Sequence, residues 1–342
     1  MCGAGSPPSR HDEILSVPAA PNRDGVGSVL GASSAASDEA ILMTRTDQLR
    51  LLTVHAHPDD ESSKGAGSVA RYRDEGARCV LVCCTGGEAG SILNPAMDRP
   101  EIRADLPAVR RRELLTAAQI IGYDEVIWLG YRDSGMPDTP ENEDPRCFAR
   151  ADLGEAVGRL VEAIRRERPH VIVTYPDRQE GYPHPDHLRV HDISVVAFDA
   201  AGDPDRYPDR GDPWQPLKLY YTMWSGKRIK AMHEKMLELG IESPFDERWR
   251  SRPSQEDRIT TTVEVSAYYG RRKGALLAHA TQIDPDSPFW FALPDDVAAG
   301  VHPYDDYMLA RSLVDSSVPE DDLFAGVREH LGEPVVYDPG RQ

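Results

Sequence analysis

An α/β fold, Rossmann-like and doubly wound around a mostly parallel sheet with helices on both faces, is predicted by two features of this 342-residue chain. From residue 50 onward, short apolar runs rich in β-branched residues alternate with longer amphipathic stretches, the pattern of strands joined through crossover helices. The runs are continuous rather than alternating in polarity, as in strands buried on both faces. Residues 51–56, 79–85, 125–129 and 170–175 have the length and composition of such strands. Residues 64–75, 107–121 and 153–168 show helical spacing between them, and Arg168-Pro169 closes the last. Beyond residue 200 the periodicity weakens. Residues 203–213 form a polar, proline-rich loop, 217–224 are a further strand, and 227–240 and 266–280 are helices. No flexible linker divides the chain, so a single domain over 43–330 with a C-terminal elaboration and a tail over 331–342 is expected.

The first 42 residues are different in kind. Twenty-three of them are Gly, Ala, Ser or Pro and none is aromatic, so burial cannot offset their ordering entropy and a disordered extension is expected. The segment lacks the basic start and apolar core of a secretory signal. Met43 leads directly into the first strand and reads as a second translation start.

The net charge of −18 argues against nonspecific nucleic-acid binding or attachment to an anionic membrane, both of which need clustered Lys and Arg. No stretch reaches the roughly 18 apolar residues of a membrane span. The five cysteines, Cys2, Cys79, Cys83, Cys84 and Cys147, contain no C-x-x-C pair and fit a reducing, cytoplasmic setting as buried hydrophobes. These exclusions name no partner; a small-molecule substrate is what the two clusters below point to, with homo-oligomerisation left open.

Two clusters carry chemistry. The first strand ends in His57-Pro58-Asp59-Asp60-Glu61, and the strand at 170–175 leads to Gly181-Tyr182-Pro183-His184-Pro185-Asp186-His187. In an open α/β sheet both would emerge at the carboxyl edge, where ligands bind. Imidazole nitrogen with carboxylate oxygen suits a borderline divalent metal such as zinc, and Fe2+ is accepted by the same donors. His57, Asp60 and His187 can supply three ligands and leave one position for water. Asp59 and His184 then remain free, Asp59 as a general base beside a water whose pKa the metal lowers toward roughly 7. Hydrolysis of a carbonyl or amide follows. His55 lies on the same strand face as His57 and reads as a core histidine.

The paired His-Pro-Asp clusters resemble the PIG-L/LmbE-like zinc de-N-acetylases, which cleave amides on the 2-nitrogen of glucosamine. Residues 54–65, 85–88, 92–98, 218–221, 279–285 and 323–326 are also similar to that superfamily, and Ser63-Lys64 with 279–285 to its amidase branch, which acts on mycothiol S-conjugates. The resemblance implies one zinc per chain on His57, Asp60 and His187, with Asp59 as base. It implies that His184 stabilises the oxyanion or protonates the leaving amine, that Asp186 orients His184, and that Tyr182 helps polarise the scissile carbonyl. Arg110 and Asp133 match positions that hold inositol and glucosamine hydroxyls, and Lys64 one near the cysteinyl end. Glu88, after Gly86-Gly87 at a strand end, is a further candidate for substrate binding, and His279 and Gln282 for lining the pocket. The function expected is hydrolysis of the amide between N-acetylcysteine and glucosaminyl-inositol, in detoxification or natural-product maturation. The alternatives are deacetylation of N-acetylglucosaminyl-inositol and, from another class, noncatalytic binding of a sugar or inositol.

Overall fold

Among the described residues seven strands form one sheet in the order β3-β2-β1-β4-β5-β7-β6. They are β1 (Arg50–His55), β2 (Arg78–Thr85), β3 (Glu125–Tyr131), β4 (Val171–Thr174), β5 (Lys218–Met223), β6 (Thr261–Glu264) and β7 (Tyr304–Ser312). The computed structural model describes residues 48–179, 182–250 and 255–332, which belong to one compact unit. The predicted extension over 1–42, the start at Met43 and most of the tail over 331–342 lie outside the described residues.

β1 to β5 pair in parallel, as the continuous apolar runs predict. β7 adds antiparallel to β5, and β6 antiparallel to β7. The helices that position the site are α1 (Asp60–Ser63), α2 (Ala66–Asp74), α3 (Leu106–Ile121), α4 (Leu153–Glu167), α5 (Pro185–Ala200), α6 (Gly226–Glu238) and α7 (Tyr269–Ala278). Helix ends follow their local chemistry. Asp152 caps α4 by accepting the Glu155 N–H, and Arg168 closes it in a left-handed conformation just before Pro169. The helix expected over 266–280 begins with a 3-10 turn over Ser266–Tyr268 before α7.

Successive residues of β1 feed opposite faces. Leu52 and Val54 join a core with α4 and α5, whereas Leu51 joins one with α2 and Ala117 and Ile121 of α3. Both faces are therefore covered, and Cys79, Cys83, Cys84 and Cys147 are free thiols buried in these layers. Burial pushes the Cys83 and Cys84 thiols well up, away from the reactive thiolate. A third cluster, with Ile229, Met236, Phe245 and Leu293, builds the C-terminal elaboration. No helix among the described residues is long and apolar enough to cross a membrane.

β1 lies between β2 and β4, so the chain leaves it toward one side of the sheet and returns on the other. The carboxyl ends of β1 and β4 flank the crevice that this reversal opens, the usual ligand position in such sheets.

Candidate active site

After β1 the chain turns at His57-Pro58-Asp59-Asp60 into the single-turn helix α1. Asp60 points its Oδ2 to within 3.4 Å of His57 Nδ1 and 3.3 Å of His187 Nε2. One donor atom from each of the three lies within 4.8 Å of the others. His57 turns its Nε2 to Asp186 Oδ2 at 3.2 Å and Asp133 Oδ1 at 3.5 Å. A ring held by carboxylates through one nitrogen while presenting the other is the arrangement that supports metal-ligating histidines. His57, Asp133 and His184 also bring donors together. That trio would use the His57 nitrogen already engaged by Asp186, so His57, Asp60 and His187 fit one borderline divalent ion better.

The electrostatics of Asp60 and His187 agree with that fit, whereas His57 holds a proton that it would give up to bind the ion. Burial disfavours the charged form of His57, yet the Asp133, Asp186 and Asp60 carboxylates prevail and hold its pKa well above the ordinary value. Burial pushes Asp60 up, but Lys64, His187 and His57 pull it well below the carboxylate range. His187 is lowered to about 4, chiefly by burial, and so presents a neutral nitrogen. A neutral imidazole beside an ionised carboxylate is the protonation state a metal ion requires.

Asp59 sits in the left-handed region at φ 107°, a conformation that costs about 1–3 kcal/mol for a residue with a Cβ. Its surroundings hold it there. Its backbone N–H donates to Glu61 Oε2 at 2.9 Å, and its carbonyl accepts from Ser62 and Ser63. Its carboxylate accepts from Arg110 Nη2 at 2.9 Å, and the same nitrogen donates to Pro58 O at 2.5 Å. Arg110 Nη1 bonds Gly87 O. A Cβ on Gly87 would overlap this guanidinium, and one on Gly90 would stand 2.6 Å from it, so the glycines after β2 make its channel. Glu61 is fully buried and is held by His279, whose Nε2 lies 2.7 Å from Glu61 Oε1. Burial raises the Asp59 carboxyl and Arg110 opposes the rise, the net being upward.

The second cluster follows β4. His184 caps α5, with Pro185 at its first position, and its Nδ1 accepts the Asp186 N–H at 3.2 Å. Its pKa is lowered, mainly by burial and then by His57. A neutral ring that accepts at Nδ1 carries its proton on Nε2, so His184 is a hydrogen-bond donor through that atom. Its ring lies 4.5 Å from that of His57, and Tyr182, half exposed, stacks 5.9 Å from it. Asp186 was expected to orient His184; its carboxylate goes instead to His57, the Ser134 N–H at 2.9 Å and the Ser134 hydroxyl. Its hydrogen bond to His184 comes from the backbone, while the carboxylate attracts that ring from a distance.

The remaining candidates are less open than their sequence positions suggest. Asp133 is buried, accepting from Gly135 N at 2.9 Å and Ala89 N at 3.3 Å as well as facing His57. Arg110 is 3% exposed and engaged with Asp59 and two carbonyls. Lys64 is bound to the free oxygen of Asp60 at 2.5 Å and lies over the Tyr175 ring. Glu88 Oε2 is buried with no hydrogen-bond partner among the described residues. His55 bonds Tyr175 through Nδ1 and belongs to neither donor group, in keeping with a core role. Gln282 donates to Ser91 O. Sequence reasoning missed Ser134 and Tyr175. The Tyr175 ring stacks 4.5 Å from His187 while its hydroxyl takes the Ala56 N–H. Its place at the carboxyl end of β4 was the available signal.

Residues 52–198 match the family described as PIG-L: GlcNAc-PI de-N-acetylase. The chain is 46% identical over 298 residues to the mycothiol S-conjugate amidase of Streptomyces coelicolor, covering 83% of this chain and 99% of that protein. It is 40% identical over 295 residues to the 1D-myo-inositol 2-acetamido-2-deoxy-alpha-D-glucopyranoside deacetylase of Geodermatophilus obscurus, covering 82% and 99%. Among solved structures it resembles the N,N'-diacetylchitobiose deacetylase of Pyrococcus horikoshii at a TM-score of 0.53 and 16% identity, over 82% of this chain and 94% of that one, a likeness of fold.

Proposed function

Because the chain belongs to the PIG-L de-N-acetylase family, whose relatives are amide-cleaving hydrolases, we propose that it is a zinc-dependent amidase acting on mycothiol S-conjugates. The bond cut would be the amide between N-acetylcysteine and the glucosamine nitrogen. The observation that carries the reaction type is the His57, Asp60 and His187 trio with the Asp59 carboxylate alongside it. The substrate rests on the 46% identity to the amidase over nearly its whole length.

A zinc ion on those three residues supplies Lewis-acid chemistry, activating water and polarising the carbonyl. The protein does the rest. Asp59, held by Arg110 and Glu61, takes the proton of the attacking water and returns it to the departing amine. Desolvation lifts its basicity and Arg110 tempers the rise. His184 donates its Nε2–H to the tetrahedral oxyanion, and Tyr182 adds a hydroxyl from the rim. Asp186 and Asp133 hold the His57 ring. Lys64, Glu88, Arg110 and Asp133 remain the proposed contacts to substrate, Glu88 with an unpartnered oxygen suited to a sugar hydroxyl.

A side-by-side rate measurement on a fluorescent mycothiol S-conjugate and on N-acetylglucosaminyl-inositol tests the reading. The conjugate should have the higher kcat/KM, by roughly a hundredfold. The reverse order would move the protein to the deacetylase branch. Bound zinc with no turnover of either would leave a noncatalytic sugar- or inositol-binding protein.

His279 has a measurable part in this scheme. His279→Ala strips Glu61 of its buried partner and loosens the backbone of Asp59, so kcat should fall roughly ten- to a hundredfold. Zinc stoichiometry should stay at wild-type level, since His279 touches no ligand. An unchanged kcat in the zinc-loaded variant would remove His279 from the positioning chain.

A further inference from the structure

A second cavity lies in the C-terminal elaboration, lined by α6, α7 and the segment 289–303, about 60 Å3 in volume and open to solvent at its mouth. No residue of the metal cluster lines it. Its walls are aromatic, with Trp224 stacked on Phe289 at 6.0 Å and Trp290 edge-on to both. Set among these rings are Arg228 and Arg272. Neither guanidinium has an ion pair or a hydrogen-bond acceptor among the described residues, and Arg228 lies over the Trp224 ring at 5.2 Å.

Among the described residues no Asp or Glu lines the cavity, in a chain whose net charge is −18. The charged groups around it make their direct contacts elsewhere, while the Asp305 and Asp306 carboxylates attract Arg228, and Asp305 attracts Arg272, from a distance. Lys273 pairs with Asp295 at 2.6 Å, His302 with Asp306 at 2.8 Å, and Asp305 accepts from Ser68. Partial burial of two guanidinium groups with no direct ion pair among the described residues carries a cost, and it shows in their acidity. Burial, and then repulsion from Arg272, brings Arg228 down to about 9, and Arg272 is also lowered by burial. A group that would neutralise both and stack between the rings removes that cost.

We infer that this cavity is a second binding site, separate from the metal cleft, for an organic anion with a flat apolar body. The guanidinium groups would take the carboxylate or sulfonate, and Trp224, Phe289 and Trp290 the ring system. The inference is independent of the amidase reading.

Calorimetric titration of the zinc-loaded full chain with naphthalene-2-sulfonate, a poor zinc ligand, tests it against the neutral 2-naphthyl methyl sulfone. The anion should bind at one site, roughly tenfold or more tighter than the sulfone. Arg228→Gln and Arg272→Gln should each erase that preference. Equal affinity for the two probes, or anion binding unchanged in both variants, would overturn the inference. Without probe, the thermal midpoint of each variant should equal or exceed that of the wild type, because a partly buried charge without a direct ion pair has been removed. A fall of several degrees would show the arginines to be structural and would equally overturn it.

Discussion

Asp59→Asn is expected to lower kcat by roughly 10²- to 10⁴-fold while zinc content and thermal midpoint stay at wild-type values. The change preserves shape and removes basicity. Asn tolerates the left-handed backbone that residue 59 adopts, and its amide oxygen can still accept from Arg110 Nη2, now 2.9 Å from the carboxylate. Asp60, the neighbouring proposed metal ligand, keeps its contacts to His57, His187 and Lys64. The variant therefore isolates proton transfer from folding and metal binding. Steady-state kinetics with metal analysis of the same sample checks it, and a kcat within a few-fold of wild type would refute Asp59 as the base.

The largest effect on stability is expected at Glu320, whose side chain is buried against Lys218 of β5. Lys218 Nζ lies 2.6 Å from Glu320 Oε1 and donates to Ala325 O at 2.9 Å. The other carboxylate oxygen accepts from Tyr220 at 2.5 Å and Thr261 at 2.9 Å. Backbone bonds between Glu320 and Thr260 and Thr262 join the same network. Glu320→Ala leaves a buried ammonium without its counter-ion and should cost about 3–5 kcal/mol, read as a lower urea midpoint. Replacing both partners, Lys218→Met with Glu320→Leu, should recover most of the loss. Burial raises the Glu320 pKa, but Lys218, Ser316 and Tyr220 together bring it below its ordinary 4.5. Its ionised form therefore contributes stability above that value, which is lost as pH falls through the lower folded-state pKa. The gap between wild type and Glu320→Ala should accordingly narrow in acid. A constant gap would place the stabilisation outside this ion pair.

The parallel half of the fold was legible because buried strands and amphipathic helices carry their own periodicities. β6 and β7 were not. Thr261–Glu264 is short, and Tyr304–Ser312 opens with Asp305 and Asp306, which read as surface residues. Their burial depends on Ser68 and His302, partners 237 and 4 residues away.

By itself the sequence determined which residue types reach the carboxyl edge of the sheet. Two His-Pro-Asp segments after two strands, each stiffened by proline, bring His57, Asp60 and His187 into one cleft through local geometry and strand order alone. Tertiary structure decided what each neighbouring group does there. Of the run Arg110-Arg111-Arg112, only the buried Arg110 lies in the channel over Gly87 and Gly90 that ends at Asp59. Asp186 serves His57 rather than His184, and Glu61 with His279 holds the strained backbone of Asp59. These pairings join residues 218 and 129 positions apart. Periodicity reports which face of an element is buried, whereas a long-range hydrogen bond depends on where two elements meet after packing.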